Sequence, residues 1–245
     1  SPSSIMFSSS NWSTAQTVTV IGVDDNTTDG NQSYTIVLAA ASSSDSNYNN
    51  LNPSDISLSN LDDEWGGAKQ TGSSKSDQPY GIAVDSKSNI YVAGRTYGNM
   101  DGNSNPSSTI PDIILLKYSF QGSLQWLKQV GDDSTFEESN GVAIDSSDNV
   151  YITGSTNLGL NGIPYIGSFD MFLVKYNSAG VIQWTKLMGG TEAEFGYDVA
   201  VDSSGNAYVT GYTSGTLDGT SAGMSDIFLV KYNSSGVKQW TRQLG

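Results

Sequence analysis

The sequence contains no cysteine and no histidine, and it has few positive charges. It therefore has no disulfide, no cysteine or histidine nucleophile, and no zinc site of the usual type. Lys and Arg number 11 against 25 Asp and Glu in 245 residues, a net charge of -14. This balance argues against nucleic-acid binding, which needs a basic surface. Apolar runs fall far short of the about 20 residues of a spanning helix, and the first residues lack signal-peptide regions.

The chain does contain three copies of one repeat, and repeats of this kind decide the architecture. Each copy has an apolar segment that ends in Asp, then Asn-x-Tyr-x-x-Gly, then Asp-x-x-Leu-x-Lys-Tyr, and closes with Gln-Trp. The closing tryptophans recur roughly every 57 residues. They are Trp126, Trp184 and Trp240.

Each repeat predicts four short strands, because its segments are rich in β-branched and aromatic residues and are bounded by Gly, Ser, Asn and Asp. In the first copy these strands are a (near 81–85), b (89–96), c (112–119) and d (123–130). Four strands per repeat indicate a β-propeller blade. We therefore expect an all-β protein with three four-stranded propeller blades after a partial β-sandwich. The blades are predicted at about 73–131, 132–189 and 190–245, with a lone d strand at 64–72.

The repeats resemble the bacterial SBBP family over roughly residues 64–245. The segments G-I-A-V-D-x-x-x-N-x-Y-V-x-G and D-I-F-L-V-K-Y-N-S-x-G and the following Q-W carry the resemblance. The first segment alone also resembles NHL propellers. The SBBP resemblance implies a seven-bladed ring and brings no catalytic residue. Since closed rings typically have 4–8 blades, we expect the neighbouring blades to come from missing chain or from another subunit.

Residues 1–63 lack the blade pattern. Segments 17–21, 33–38 and 55–59 predict strands, and an acidic turn cluster separates the first two. The run T-V-T-V-x-x-V-D-D, the run D-G-N-Q-S-Y-T-I-V-L and the closing acids resemble the second half of a Calx-beta domain. That resemblance implies calcium at Asp24, Asp25, Asp62 and Asp63. Calcium takes six to eight oxygen ligands, and half a domain does not readily supply that many. The alternative is that these acids are solvated residues of turns and a linker.

The long b–c and d–a connections are expected to share one face of the blades, which we call the long-loop face. Loops on a rigid scaffold commonly carry binding residues. The acids of these loops can attract cations or a basic partner, although a solvated surface that promotes solubility is the simpler explanation. The candidate partner-binding residues are Asp132, Asp133, Glu137, Glu138, Glu192 and Glu194. Loop aromatics that can stack on a sugar are Tyr97, Phe136, Tyr165, Phe195 and Tyr212.

The side chains that recur in every repeat have structural interpretations. We expect the turn aspartates to accept backbone N–H groups and the tryptophans to pack between blades. The lysines are expected to face polar surroundings, and the aspartates that open strand c to pair with a base or an N–H group. The turn aspartates are Asp85, Asp145 and Asp202, and the tryptophans are Trp126, Trp184 and Trp240. The lysines are Lys117, Lys175 and Lys231, and the aspartates that open strand c are Asp112, Asp170 and Asp226.

Together these features predict a non-enzymatic interaction or adhesion scaffold, secreted or displayed on a bacterial cell surface, within a longer repeat protein. Its partner is expected to be a protein or a glycan at the long-loop face, with no nucleic acid, no membrane insertion and no cofactor other than calcium. The alternative is a carbohydrate-binding propeller. A carboxylate-dependent lyase or glycosidase is a further alternative, but no pair of acids recurs in a spacing that demands it.

Overall fold

The computed structural model describes residues 5–11, 13–20, 30–60, 70–100, 109–131, 136–218, 221 and 223–245. The chain divides into two compact units, Ser1–Gly67 and Ala68–Gly245. No residue in the described ranges lies in a helix, and accordingly none of them forms a helix able to cross a membrane. Asp24, Asp25, Asp62 and Asp63 fall outside the described residues, so calcium binding there stays a prediction.

The first unit contains one two-stranded antiparallel sheet in its described part. It pairs β1 (Gln32–Ile36) with β2 (Ile56–Asn60). These two strands overlap the strands predicted at 33–38 and 55–59. Residues 17–20 are not in a strand, contrary to the prediction, since an extended segment becomes a strand only when a neighbour pairs with it. None of the described residues of this unit is buried. The Calx-beta resemblance stays a prediction.

The second unit contains three four-stranded antiparallel sheets, in each of which neighbouring strands are also consecutive in sequence. This confirms the predicted all-β fold built of propeller blades, and the sheets are not closed into a barrel. Of the lone d strand predicted at 64–72, residues 70–72 are not in a strand and the rest lie outside the described ranges. The strands are β3 (Asp77–Val84), β4 (Ile90–Thr96), β5 (Asp112–Tyr118) and β6 (Leu124–Val130); β7 (Glu137–Ile144), β8 (Val150–Thr156), β9 (Asp170–Tyr176) and β10 (Ile182–Met188); and β11 (Glu194–Val201), β12 (Ala207–Thr213), β13 (Asp226–Tyr232) and β14 (Lys238–Leu244).

The tight turn between the first two strands of each blade is built around its aspartate. In the second blade, Asp145 Oδ1 accepts the N–H groups of Ser147 and Asn149, both at 2.9 Å. The same carboxylate accepts the hydroxyl of Tyr151 (3.1 Å) and lies 3.4 Å from Lys175 Nζ. Equivalent backbone bonds form at Asp85 and Asp202. The predicted turn role of these aspartates is confirmed, and the polar surroundings predicted for Lys175 are this carboxylate and the Tyr151 ring.

The core consists of apolar layers between successive blades. The first layer packs β4 and β5 against the second blade, and the second layer packs β8 and β9 against the third. Tyr151, Met171 and Leu173 are fully buried in the second layer. Burial of apolar area is the main stabilising term in such a stack, so each blade depends on its neighbour for a complete core.

Candidate binding site on the long-loop face

One end of the blades brings the starts of β3, β7 and β11 beside the ends of β4, β8 and β12, because the strand pairs are antiparallel. This is the predicted long-loop face. A bulge in each first strand lies between Pro79 and Gly81, Ser139 and Gly141, or Gly196 and Asp198. The strand facing each bulge carries a glycine with no room for a Cβ, which would overlap a carbonyl oxygen. The repeat thus fixes the backbone tightly at this end.

The same cross-strand position holds a different pair of side chains in each blade. It is Gln78 with Arg95 in the first blade, Glu138 with Ser155 in the second, and Phe195 with Tyr212 in the third. Directly opposite residues in a sheet have neighbouring side chains. The backbone repeats while the side chains vary, which is the arrangement expected where a rigid scaffold presents binding residues.

Five aromatic residues form a continuous row across the second and third blades, which we call the aromatic strip. Phe136 meets Phe169 edge-on at 5.8 Å between ring centroids, and Phe169 stacks on Phe195 at 5.0 Å. Phe195 stacks on Tyr212 at 4.9 Å, and Tyr197 lies tilted against Tyr212 at 5.6 Å. Tyr197 is 54% exposed. Burial raises the pKa of Tyr212, so its ring stays neutral at ordinary pH.

Arg95 extends the strip to the first blade. Its Nη1 donates to Glu138 Oε2 (2.6 Å) and its Nε donates to Gln78 Oε1 (2.8 Å). Its guanidinium lies over the rings of Tyr80, Tyr97 and Phe136, at 5.4 to 5.9 Å from their centroids. Arginine stacks on aromatic faces in this way. The ion pair between Arg95 and Glu138 therefore connects the first blade to the second. The rings around the Arg95 guanidinium form part of the same surface.

The structure separates the six acids predicted for this face. Glu137 and Glu194 are almost fully buried, Glu138 is partly buried in its ion pair, and Glu192 is exposed. Asp132 and Asp133 lie outside the described residues. Among the six predicted acids, Glu138 and Glu192 are thus the described ones that can meet a partner at the surface.

Of the five aromatics predicted from the loops, Phe136, Phe195 and Tyr212 belong to the strip, and Tyr97 lies under Arg95. Tyr165 is in the β8–β9 connection and is not part of the strip. Sequence reasoning missed Phe169, Tyr197, Tyr80 and Arg95. The sequence signal that could have revealed them is the difference between the repeats. These side chains occupy positions at which the three copies of the repeat do not all have the same residue.

The opposite end of the blades is occupied by tight turns and by the repeated tryptophans. Trp126 and Trp184 lie edge-on to Tyr91 and Tyr151, each at 5.8 Å. Their indole N–H groups donate to carbonyl oxygens in the next blade. The predicted packing of Trp126 and Trp184 between blades is confirmed, and these two rings are used in blade assembly.

Comparison with known proteins identifies the repeats. The SBBP family, described as a beta-propeller repeat, matches residues 67–99, 125–160 and 183–217, so the chain carries SBBP beta-propeller repeats. The chain is 27% identical over 208 residues to an uncharacterized WD repeat-containing protein of Acanthamoeba polyphaga mimivirus. It is 34% identical over 103 residues to the regulatory protein FlaEY of Caulobacter vibrioides. The matches cover 68% and 38% of this chain but only 15% and 11% of those relatives.

Among solved structures, the chain is similar to a protein of unknown function from Bacteroides caccae. The TM-score is 0.33 at 10% identity, and the match covers 76% of this chain and 74% of that one.

Proposed function

We propose that this chain is a non-enzymatic interaction module that binds a protein partner through the aromatic strip and the Arg95 cluster (Arg95, Gln78, Tyr80, Tyr97 and Glu138). The observation that carries the proposal is the change of side chains at one repeated cross-strand position while the backbone stays the same. Aromatic residues and arginine dominate the binding energy of protein interfaces. Tyr80 and Tyr197 are exposed, so a partner can cover them.

The strip offers a partner rigid rings rather than flexible loops. Phe169, Phe195 and Tyr212 hold one another by stacking, and Arg95 is fixed by two hydrogen bonds. Such preorganisation lowers the entropy lost on binding. The buried acids Glu137 and Glu194 are withdrawn from the surface, which supports binding rather than carboxylate catalysis there.

The test places a photo-crosslinking amino acid at position 197 or, as control, at position 165. Both tyrosines are exposed, but only Tyr197 belongs to the strip. In the source cell envelope we expect one discrete crosslinked protein from position 197 and none from position 165. Binding of that purified partner should be lost in Tyr197→Ala with Arg95→Met. Equal crosslinking from both positions contradicts the proposal.

A carbohydrate ligand is the second candidate, favoured by the exposed ring of Tyr197 beside the stacked rings of the strip. Sugars stack on such aromatic faces. A glycan array probed with the wild type and with Tyr197→Ala and Tyr165→Ala tests it. Binding that depends on Tyr197 and not on Tyr165 supports a glycan-binding module, and an array without any bound glycan eliminates it.

We also propose that the third blade packs against a further blade of the same repeat type. Ile227 and Leu229 occupy the positions of Met171 and Leu173 in the second blade. Ile227 is 62% exposed, whereas Met171 is fully buried between blades. Exposed apolar faces of this kind mark interfaces. Light scattering on the full natural protein and on this chain tests whether the added blade comes from the same chain or from a second copy.

Placement outside the cell or on a bacterial surface is part of the same proposal. The composition supports it, because the chain has no cysteine, few lysines and many Ser, Thr, Asn and Gly residues. Protease shaving of intact source cells tests it. Loss of the protein from intact cells is the expected result, and protection until lysis contradicts it.

A further inference from the structure

The dipeptide Asn-Gly occurs twice in the sequence, at 140–141 and 161–162, and the structure gives the two copies opposite surroundings. Asn161 and Gly162 form an exposed two-residue turn in the β8–β9 connection, between Leu160 and Ile163. Their φ angles are +51° and +78°. Positive φ at both central residues is typical of an Asn-Gly hairpin turn. The copy at 140–141 lies in β7, beside the third blade.

An Asn-Gly dipeptide is chemically reactive because the glycine has no side chain to shield its backbone nitrogen. The nitrogen of Gly162 attacks Cγ of Asn161, and the new N–C bond closes a succinimide ring. The Cγ–Nδ2 bond breaks, and the released amine takes the Gly162 N–H proton and leaves as ammonia. Water then opens the ring at either carbonyl carbon and leaves aspartate or isoaspartate. Water is the only co-reactant.

The surroundings of the Asn161 turn leave it open to this reaction. Among the described residues, no heavy atom lies within 4 Å of a Cβ placed on Gly162. Backbone hydrogen bonds between Leu160 and Ile163 close the turn, both at 3.0 Å, and Asn161 Nδ2 donates to Thr185 Oγ1 (3.0 Å). Ring closure requires rotation of the Asn161 backbone out of the turn. The rate therefore follows how often these bonds open, and exposed turns open at low free-energy cost.

The copy at 140–141 is held by the packing of the blades. A Cβ on Gly141 would lie 2.8 Å from Cα of Asp198, in the third blade, and Gly141 is buried. Asn140 Nδ2 donates to the carbonyl oxygen of Gly196 (2.9 Å), also in the third blade. Ring closure at Asn140 therefore requires the second and third blades to separate, which is a much costlier opening than that of an exposed turn.

The other two repeats already have the product residue at the position of Asn161. Aspartate precedes the glycine there, as Asp101 and Asp218. Asp218 accepts a hydrogen bond from Arg242 Nη1 (3.2 Å), and Lys186 has the equivalent position in the second blade. An aspartate at position 161 therefore gives the second blade the residue types that form an ion pair in the third.

We propose that Asn161 is a site of spontaneous deamidation in the folded protein, through the succinimide that it forms with Gly162. The aspartyl product adds a negative charge and keeps the turn. The isoaspartyl product carries its methylene group in the backbone, which lengthens the turn between Leu160 and Ile163. Leu160 is 3% exposed and packs in the first core layer, so this product loosens the second blade. The site is separate from the aromatic strip.

The experiment follows both dipeptides in one peptide. The sequence has no Lys or Arg between Lys128 and Lys175, so trypsin releases Asn140 and Asn161 together. The folded chain is incubated at mildly alkaline pH in water labelled with a heavy oxygen isotope, and fragment masses locate the label. We expect Asn161 to react at least about tenfold faster than Asn140, which equals about 1.4 kcal/mol in free energy. In urea the two should react at similar rates.

Asn161→Gln is the matched control, because a glutamine must close a larger ring and reacts far more slowly. It should remove the label at position 161 and leave that at Asn140 unchanged. The isoaspartyl fraction, identified by enzymatic methylation, should unfold at a lower temperature than Asn161→Asp. The proposal is overturned if Asn161 keeps its amide in the folded chain while it reacts in urea, or if Asn140 reacts as fast as Asn161 in the folded chain.

Discussion

The indole N–H of Trp184 donates to the carbonyl oxygen of Ser234, 3.3 Å away in a turn of the following blade. Gly236 ends that turn with φ +76°, and a Cβ there would lie 2.9 Å from the Trp184 ring and 2.7 Å from Lys186 Cε. Trp126 makes the same bond to Ser178 at 3.4 Å. In the first and second blades, the tryptophan thus holds the turn of the following blade in place.

Gly236→Ala should therefore loosen the junction between the second and third blades. The matched control is Gly162→Ala, because Gly162 has φ +78° but nothing within 4 Å of its Cβ position. Both variants lose about 1 kcal/mol to left-handed strain, and Gly236→Ala should lose a further ~1–3 kcal/mol from overpacking. Urea unfolding measures the difference, and equal losses would show that the contact with Trp184 does not matter.

The apolar positions of the second and third blades should differ in their contribution to stability. Leu173→Ala removes a fully buried side chain and should cost about 2–5 kcal/mol. Leu229→Ala, at the equivalent position of the third blade, should cost less than about 1 kcal/mol because Leu229 is 39% exposed. Denaturant unfolding of the chain compares them. A similar large cost for both would mean that the Leu229 face is covered in solution.

Arg95 and Glu138 should be energetically coupled. Their side chains are 19% and 16% exposed and their charged atoms are 2.6 Å apart. A double-mutant cycle with Arg95→Met and Glu138→Gln should give a coupling of about 1 kcal/mol, above the average of exposed pairs. The coupling should persist at high salt, since partly buried pairs are screened less. A coupling near zero would contradict the role of this pair in joining the blades.

Acid should destabilise the turns on the opposite end of the blades. Hydrogen bonds from Asn206 lower the pKa of Asp202 from its ordinary 3.8 to about 2. A carboxyl group whose pKa is lower in the folded state stabilises the fold above its unfolded pKa, and this contribution disappears as pH falls through the folded pKa. The stability advantage of the wild type over Asp202→Asn should therefore shrink from about pH 4 to about pH 2. Unfolding curves across this range, with Glu192→Gln as control, test it. A constant difference would contradict the pKa shift.

Most of the blade architecture was predictable from the sequence, because each repeat carries its own turn signals. Asp202 with Asn206 predicts a tight turn, and the observed strands β11 and β12 flank it as expected. The strand predicted at 17–21 is wrong for its described residues, since alternation of apolar residues does not supply a pairing partner. The aromatic strip was only partly foreseen, because Phe169 and Phe195 are far apart in the chain and meet only where two blades stack.

The sequence by itself determined the strands and the tight turns of the three β-propeller blades. Those features depend on local residue chemistry that every copy of the repeat contains. The tertiary structure decided which acids are buried and which are exposed. Glu137 and Glu138 are adjacent in the chain, yet one is almost fully buried and the other pairs with Arg95. The physical reason is that alternate residues of a strand face opposite sides, and only the packing of neighbouring blades determines what each side meets.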